Sequence, residues 1–252
     1  MAPLVYLVRH GQTEWSKIGR YTGKSEKKLT EAGKKEALAL GDNFFGAGKY
    51  IDPSRIVCVI ASPRVRAQET LQLLTKNDPG IMKKVIVSEE FSEWDHGSYE
   101  GLTTEEIRSR RAEKGLDKSS TWSIWTGGCE DGEYEYTPFS FLTNANLGLL
   151  FAIFLRSVQD MTRRVNQAIT MIENAKRDYM TNEQHGNVMV VGHGTHLRCL
   201  WKIWHGLPID YPVNIKFGTG TVATLSYEDR DNRSVVEEFT DQAEHNIGIR
   251  IG

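Results

Sequence analysis

The sequence is poor in cysteine, lacks a hydrophobic run long enough to span a membrane, and carries no excess of either charge. Its three cysteines, Cys58, Cys129 and Cys199, lie far apart without the spacing of a disulfide framework or of a metal site, so we expect reduced thiols. With 31 Lys+Arg against 33 Asp+Glu, the bulk charge does not favour nucleic acid or an anionic membrane as a partner. The apolar run at 4–8 is too short, and too soon followed by Arg9, for a secretion signal. We therefore expect a cytoplasmic protein.

Three short apolar segments have the composition of buried parallel strands. They occupy residues 4–8, 56–61 and 187–191, and each is followed at once by an arginine or histidine beside glycine, serine or proline. Further strands are predicted at 85–87, 221–227 and 234–239, and helices at 30–45, with Thr30 as the N-cap, 67–74 and 158–180. Alternation of strand and helix predicts an α/β fold of three layers, α/β/α, with a mainly parallel central sheet. We interpret residues 1–252 as a single domain.

The side chains that follow these strands are those that phosphoryl transfer requires. Positive charge must surround three phosphoryl oxygens, and a nucleophile must attack in line. Arg9, Arg64 and Arg66 supply charge, while His10 and His193 supply imidazoles. Because ligands bind at the carboxyl ends of parallel strands, these groups are predicted to meet at one site.

The motifs in which these residues stand resemble the histidine phosphatase superfamily, also called the phosphoglycerate mutase-like family. The matching segments are, in chain order, 7–15 (LVRHGQTEW), 21–23 (YTG), 29–33 (LTEAG), 62–70 (SPRVRAQET), 93–101 (EWDHGSYEG) and 192–194 (GHG). Residues 115–118, 122–125 and 128–133 additionally resemble the fungal sedoheptulose bisphosphatases of that family. The resemblance implies a phosphatase that acts on a small sugar phosphate, without a metal ion or other cofactor.

Carried over position by position, the resemblance makes His10 the nucleophile that becomes phosphorylated. It places Arg9, Arg66 and His193 in the phosphate pocket, and makes Glu93 the proton donor and later the base. Further contacts with substrate or phosphate are expected from a larger set: Gln12, Thr22, Gly23, Arg64, His96, Ser98, Gly194 and Thr195. For His96 and Ser98 a solvated loop is an equal alternative, and the remaining histidines, His185, His196, His205 and His245, are predicted to be surface or capping residues.

General chemistry adds two expectations, one about His10 and one about Glu93. A neutral imidazole attacks phosphorus through one nitrogen when a hydrogen bond fixes the proton on the other, and the carbonyl of Gly11 is placed to accept that bond from His10. An alkoxide leaves readily only if it is protonated, so we expect Glu93 to be held protonated for part of the time. The cations then stabilise the transition state without a metal.

Two alternative functions use the same residues. Cofactor-dependent phosphoglycerate mutases carry the pattern Tyr-Gly-x-Leu-x-Gly-Leu-Asn-Lys after the catalytic glutamate, whereas this chain has HGSYEGLTTE at 96–105, which favours hydrolysis. A catalytically inert, phosphate-binding member of the fold is the other alternative. The joint presence of His10, Arg66, Glu93 and His193 argues against it.

Residues 134–156 do not fit the rest of the pattern and are predicted to be an insertion. The segment lacks clean helical or strand periodicity, and in the resembling family residues 132–133 lead directly into the helix for which Ser157 is a natural N-cap. Codons for EYEY at 133–136 can encode a splice donor. We hypothesise that the segment is a retained intron; the competing hypothesis is a loop that binds a partner or touches a membrane.

Overall fold

The computed structural model describes residues 3–117, 121–133, 146–177 and 186–226. Within these ranges one five-stranded sheet forms the centre, with the strand order β3-β2-β4-β1-β5. The strands are β1 (Leu4–Arg9), β2 (Ile56–Ala61), β3 (Val85–Val87), β4 (Asn187–Gly192) and β5 (Val222–Ser226). All neighbours pair in parallel except β1 and β5, which are antiparallel. The predicted mainly parallel sheet is confirmed, and the strand predicted at 234–239 lies outside the described residues.

Side chains of alternate strand residues enter two separate apolar clusters, one on each face of the sheet. On β1, Val5 and Leu7 belong to one cluster, whereas Tyr6 and Val8 belong to the other. This follows from the two-residue period of a strand. Because β4 is buried along its whole length, both faces of the sheet are covered, as the three-layer prediction requires.

The helices divide between these two faces. They are α1 (Glu14–Lys17), α2 (Glu31–Phe44), α3 (Val65–Leu74), α4 (Thr104–Glu113), α5 (Ile124–Gly127), α6 (Asn146–Arg177) and α7 (Gly194–Trp204). Apolar residues of α2 and α3 pack on the Tyr6 face, and those of α4, α5, α6 and α7 on the Val5 face. The predicted N-cap of α2 is confirmed, because the Thr30 side chain accepts a hydrogen bond from the Gly33 N–H.

The predicted start of α6 was wrong. The helix begins at Asn146, so Ser157 lies within it and not at its amino terminus. The run 147–155 contains leucine, alanine and phenylalanine with a single glycine and no proline, and nothing in it stops a helix from extending. Residues 134–145, the amino-terminal part of the predicted insertion, lie outside the described residues. Among the helices of the described part of the chain, none combines the length and apolar character that a membrane crossing needs.

Parallel pairing brings the carboxyl ends of three strands together. The N–H of His10, just after β1, donates to the carbonyl of Gly192 at 3.0 Å. The N–H of Ser62, just after β2, donates to the carbonyl of Val191 at 3.0 Å. The residues that follow β1, β2 and β4 therefore share one edge of the sheet, where the candidate site lies.

Candidate active site

His10 has the protonation state and tautomer of a nucleophile. Its Nδ1 lies 2.8 Å from the carbonyl oxygen of Gly11, and since a carbonyl only accepts, Nδ1 carries the proton and Nε2 carries a lone pair. Burial, with the charges of Arg66 and Arg9, lowers the pKa of His10 to about 3. The imidazole is therefore neutral at physiological pH, and the predicted hydrogen bond to Gly11 is present.

The backbone at Gly11 leaves no space for a side chain. A Cβ added there would lie 2.4 Å from the carbonyl oxygen of Gly33, the third residue of α2. The Gly11 N–H donates to the hydroxyl of Thr70 on α3 at 3.0 Å. Two helices thus fix the carbonyl that orients His10.

His193 and Arg66 lie beside His10 and bond to each other. The imidazole centroids of His10 and His193 are 5.1 Å apart. Arg66 Nε donates to His193 Nδ1 at 3.1 Å, so the proton of His193 is on Nε2, which donates to Ser62 Oγ at 2.7 Å. Burial and the Arg66 charge lower the pKa of His193 well below its usual value, which makes it a neutral group.

Arg66 also fixes the loop that contains Thr22 and Gly23. Its Nη2 donates to the carbonyl oxygens of Thr22 and Gly23, both at 2.9 Å, and its Nη1 to that of Ser25 at 3.0 Å. Burial lowers the pKa of Arg66 to about 10, so it remains a cation at neutral pH. These contacts occupy much of the guanidinium, and Arg66 does not line the cavity described below.

Arg9 keeps a free donor at the site. Its Nη1 donates to the carbonyl of Phe217, whereas its buried Nε has no hydrogen-bond partner in the described structure. A Cβ at Gly194 would come within 3.0 Å of the Arg9 guanidinium, so this position accommodates glycine without displacing the arginine. Burial lowers the pKa of Arg9 to about 10, which leaves the cation intact.

Glu93 is a carboxylate held by backbone donors at the amino terminus of α7. Oε1 accepts from the N–H groups of Trp94 and His196, both at 2.9 Å, and Oε2 accepts from that of Thr195 at 3.0 Å. Burial would raise the pKa of Glu93, but His96 and these three donors lower it to about 2. The expectation that Glu93 is held partly protonated was wrong for the free protein, because three N–H groups stabilise the charged form.

A cavity of about 390 Å³ opens in front of His10. Its walls carry six of the expected residues besides His10, namely Arg9, Thr22, Glu93, His96, Gly194 and Thr195, and also Tyr21 and the segment 122–125. His96 is 1% exposed and its ring packs 4.9 Å from that of Tyr21, so it is a wall residue and not part of a solvated loop.

Arg64 and Ser98 were predicted substrate contacts and do not line this cavity. Arg64 forms ion pairs with Glu26 at 3.3 Å and with Glu89 at 2.6 Å. Ser98 is exposed, and its Oγ bonds Asp131 at 2.6 Å. Because Arg64 precedes Arg66 by two residues at the start of α3, it faces another side of the helix and meets those carboxylates instead.

Gln12 and Gly23 are likewise absent from the cavity wall. Gln12 Oε1 accepts from the Thr30 hydroxyl at 3.0 Å, beside the start of α2. The N–H of Gly23 donates to the Glu100 carboxylate at 2.8 Å. Both residues support the surrounding loops in this arrangement.

The histidines assigned to the surface or to caps differ in outcome. His196 is fully buried with its ring 5.7 Å from that of Phe91, so the surface assignment was wrong. Position 196 faces the core because it lies in the first turn of α7, where the helix packs on the sheet. His205 does cap α7, and its Nδ1 bonds the carbonyl of Trp201 at 2.7 Å. His185 and His245 lie outside the described residues.

Sequence reasoning missed two arginines on the cavity wall, Arg108 of α4 and Arg198 of α7. Arg198 makes no hydrogen bond or ion pair in the described structure; its guanidinium lies 5.8 Å from the Trp125 ring centre. Arg108 donates to the carbonyl of Trp122 at 3.3 Å and has no carboxylate partner among the described residues. Arg198 follows Gly194 by four residues, and this helical spacing was the available signal.

Comparisons with known proteins agree with this geometry. The model of the histidine phosphatase superfamily (branch 1) matches residues 5–133 and 151–240. Sedoheptulose 1,7-bisphosphatase of Saccharomyces cerevisiae is 35% identical over 212 residues, which cover 83% of this chain and 70% of that protein. An acid phosphatase of Mycobacterium tuberculosis is 30% identical over 88% of this chain and 85% of its own length. The solved structure of open reading frame Rv3214 from Mycobacterium tuberculosis has a TM-score of 0.62 at 27% identity, and covers 88% of this chain and 90% of that one.

Proposed function

Because this chain belongs to branch 1 of the histidine phosphatase superfamily, we propose that it hydrolyses a sugar bisphosphate through a phosphohistidine at His10. The proposed substrate is sedoheptulose 1,7-bisphosphate, and the phosphate removed is the one on carbon 1. The observation that carries the proposal is the neutral His10, with Nδ1 bonded to Gly11, beside a cavity whose wall also carries Arg108 and Arg198, two guanidinium groups without a carboxylate partner among the described residues. The similarity to sedoheptulose 1,7-bisphosphatase supports the choice of sugar.

In the first step, His10 Nε2 attacks phosphorus and the P–O bond to the sugar breaks. The departing sugar oxygen takes a proton from Glu93, which prevents the release of an alkoxide. Arg9 Nε, which has no partner in the free protein, donates to a phosphoryl oxygen. The products are the sugar monophosphate and phosphorylated His10.

In the second step, a water molecule attacks phosphorus while the Glu93 carboxylate accepts its proton. The P–N bond breaks, inorganic phosphate leaves and His10 regains its lone pair. Arg66 and His193 complete the phosphate pocket in this proposal. Their support is proximity: His193 lies beside His10 and bonds the cationic Arg66.

Glu93 must gain a proton before it can act as the acid. In the free protein its pKa is about 2. A phosphate group bound in the same cavity places negative charge near the carboxylate, and like charges raise a carboxyl pKa. We propose that substrate binding itself brings the proton onto Glu93.

The second phosphate of the substrate is assigned to Arg198 and Arg108. An unpaired guanidinium is suited to bind phosphate through two parallel hydrogen bonds. Arg20 also lines the cavity, but its guanidinium already forms two hydrogen bonds with Glu106, at 2.8 Å and 3.0 Å. Trp125 adds a flat apolar surface to the same cavity wall, 5.8 Å from the Arg198 guanidinium.

The test is a substrate panel with released phosphate and product structure as the readout. Sedoheptulose 1,7-bisphosphate, fructose 1,6-bisphosphate, sugar monophosphates and 3-phosphoglycerate are compared by kcat/KM, and phosphorus NMR identifies which phosphate is lost. We expect the bisphosphates to be preferred, and the 1-phosphate to be released. Mutase activity with 3-phosphoglycerate that exceeds phosphate release would reject the proposal.

Variants test the nucleophile and the proposed second phosphate contact separately. His10→Ala should abolish turnover and the phosphohistidine that rapid quenching traps in the wild type. Arg198→Met should raise KM for a bisphosphate by about tenfold or more, since a charge-assisted hydrogen bond contributes roughly 1.5–3 kcal/mol. It should change KM for a monophosphate little. Arg110→Met, on the exposed side of α4 and outside the cavity, is the matched control.

A further inference from the structure

The loop that carries Glu93 is bound from outside the cavity by one arginine of α6. Arg164 Nη1 donates to the carbonyl oxygens of Ser92 at 2.7 Å and Glu90 at 3.3 Å, and its Nη2 to that of Glu93 at 3.2 Å. The arginine side chain is 14% exposed. One guanidinium therefore holds the backbone immediately before and at Glu93.

Glu133 holds the same loop on its other side. One carboxylate oxygen, Oε1, accepts from the backbone N–H of Asp95 at 3.0 Å, and Oε2 accepts from Arg164 Nε at 3.3 Å. The Glu133 side chain is 9% exposed. Arg164 and Glu133 thus form an ion pair that also bonds the backbone on either side of Glu93, and the one further side-chain hydrogen bond in the described structure is from Arg164 Nη2 to Met161 Sδ at 3.1 Å.

The backbone around Glu133 is shaped to make this contact. Glu133 has φ of 46°, a left-handed conformation that is uncommon for residues other than glycine. A Cβ on Gly132 would lie 2.1 Å from the carbonyl oxygen of Asp95, and one on Gly97 would lie 2.2 Å from that of Glu130. The segments 130–133 and 95–97 therefore pack backbone to backbone, and such conformations persist only where the surroundings impose them.

We propose that Arg164 and Glu133 are positioning residues for Glu93, an inference that rests on the proposed function. Neither residue lines the cavity in front of His10, so we assign neither of them a contact with substrate. Their ion pair fixes the carbonyls of 92 and 93 and the N–H of 95, and thereby fixes the direction in which the Glu93 side chain leaves the backbone. Proton transfer to the leaving oxygen depends on that direction.

A comparison of two leaving groups tests this role. A sugar phosphate requires protonation of its leaving oxygen, whereas 2,4-dinitrophenyl phosphate releases a stable phenolate that needs no acid. For both substrates kcat/KM reports the steps up to phosphorylation of His10. The ratio of the two kcat/KM values, measured on one preparation, is independent of the fraction of protein that is folded.

We expect Arg164→Met and Glu133→Gln to lower kcat/KM for fructose 1,6-bisphosphate by about 10- to 100-fold, because general acid catalysis contributes roughly 10²- to 10⁴-fold. The value for the dinitrophenyl ester should fall by less than about threefold, as it should in Glu93→Gln. The double variant Glu93→Gln/Arg164→Met should be no slower than Glu93→Gln, since both act through one group. Arg163→Met, an exposed neighbour on α6, is the control.

The inference would be overturned if Arg164→Met and Glu133→Gln lowered kcat/KM equally for both substrates while Glu93→Gln lowered it only for the sugar phosphate. That result would show that the ion pair serves stability alone. Equal losses in Glu93→Gln itself would instead remove Glu93 as the general acid and so reject that part of the proposed function. The two failures are therefore distinguishable.

Discussion

Acid sensitivity of the folded state follows from four buried histidines. His10, His96, His193 and His196 are each between 0% and 5% exposed, and burial lowers the pKa of every one of them, to about 3 for His10 and His196. In the unfolded chain the same side chains titrate near about 6.5. Protons therefore bind to the unfolded state first as the pH falls.

The sign and size of the change in stability with pH follow from this difference between the folded and unfolded pKa values. A group whose pKa is lower in the folded state contributes stability that is present above its unfolded pKa and is lost as the pH falls toward its folded pKa. For one such histidine the loss between pH 8 and pH 5 is about 2 kcal/mol. The two histidines whose pKa falls to about 3, His10 and His196, together lose about 4 kcal/mol, which is a large part of the roughly 5–15 kcal/mol of a typical domain, and the lowered pKa values of His96 and His193 act in the same direction. We expect the ligand-free protein to be markedly less stable at pH 5 than at pH 8.

His196→Phe isolates one of these contributions, because the residue lies outside the cavity wall and its ring packs on Phe91. Urea unfolding followed by tryptophan fluorescence at pH 8, 6 and 5 gives the free energy of unfolding. The variant should lose about 2 kcal/mol less than the wild type between pH 8 and pH 5. Phe91→Leu disturbs the same contact without a titratable group and should keep the wild-type pH dependence. Parallel curves for His196→Phe and the wild type would refute the reasoning.

Three further outcomes are expected. EDTA should leave the rate unchanged, since the proposed mechanism uses side-chain charge alone; a loss that Mg²⁺ restores would contradict it. Asp117→Asn should lower the free energy of unfolding in urea by about 3 kcal/mol, because it removes a negative charge that lies 2.9 Å from the buried Arg111 guanidinium; a variant as stable as the wild type would contradict this. Gly11→Ala should lower both the melting temperature and kcat, as its Cβ would overlap the Gly33 carbonyl; a variant with wild-type values would show that this backbone can move.

Local sequence was sufficient for three of the strands, for one helix cap and for the hydrogen bond that fixes the tautomer of His10. Strands β1, β2 and β4 were predictable because apolar runs flanked by glycine, serine and proline form buried strands whatever their partners. Thr30 was predictable as an N-cap because capping involves only the next three residues. The Gly11 carbonyl was predictable as the partner of His10 because it is the adjacent residue.

Only the tertiary structure decided which charges face the cavity and which states they adopt. Arg64 and Arg198 are both arginines near helix starts, yet Arg64 is paired with Glu26 and Glu89 while Arg198 is unpaired on the cavity wall. The low pKa of Glu93 depends on N–H groups a hundred residues away along the chain. The packing of helices on the sheet decides which groups become partners. Sequence patterns therefore show which residue types are present, whereas packing determines the charge, burial and direction of each side chain.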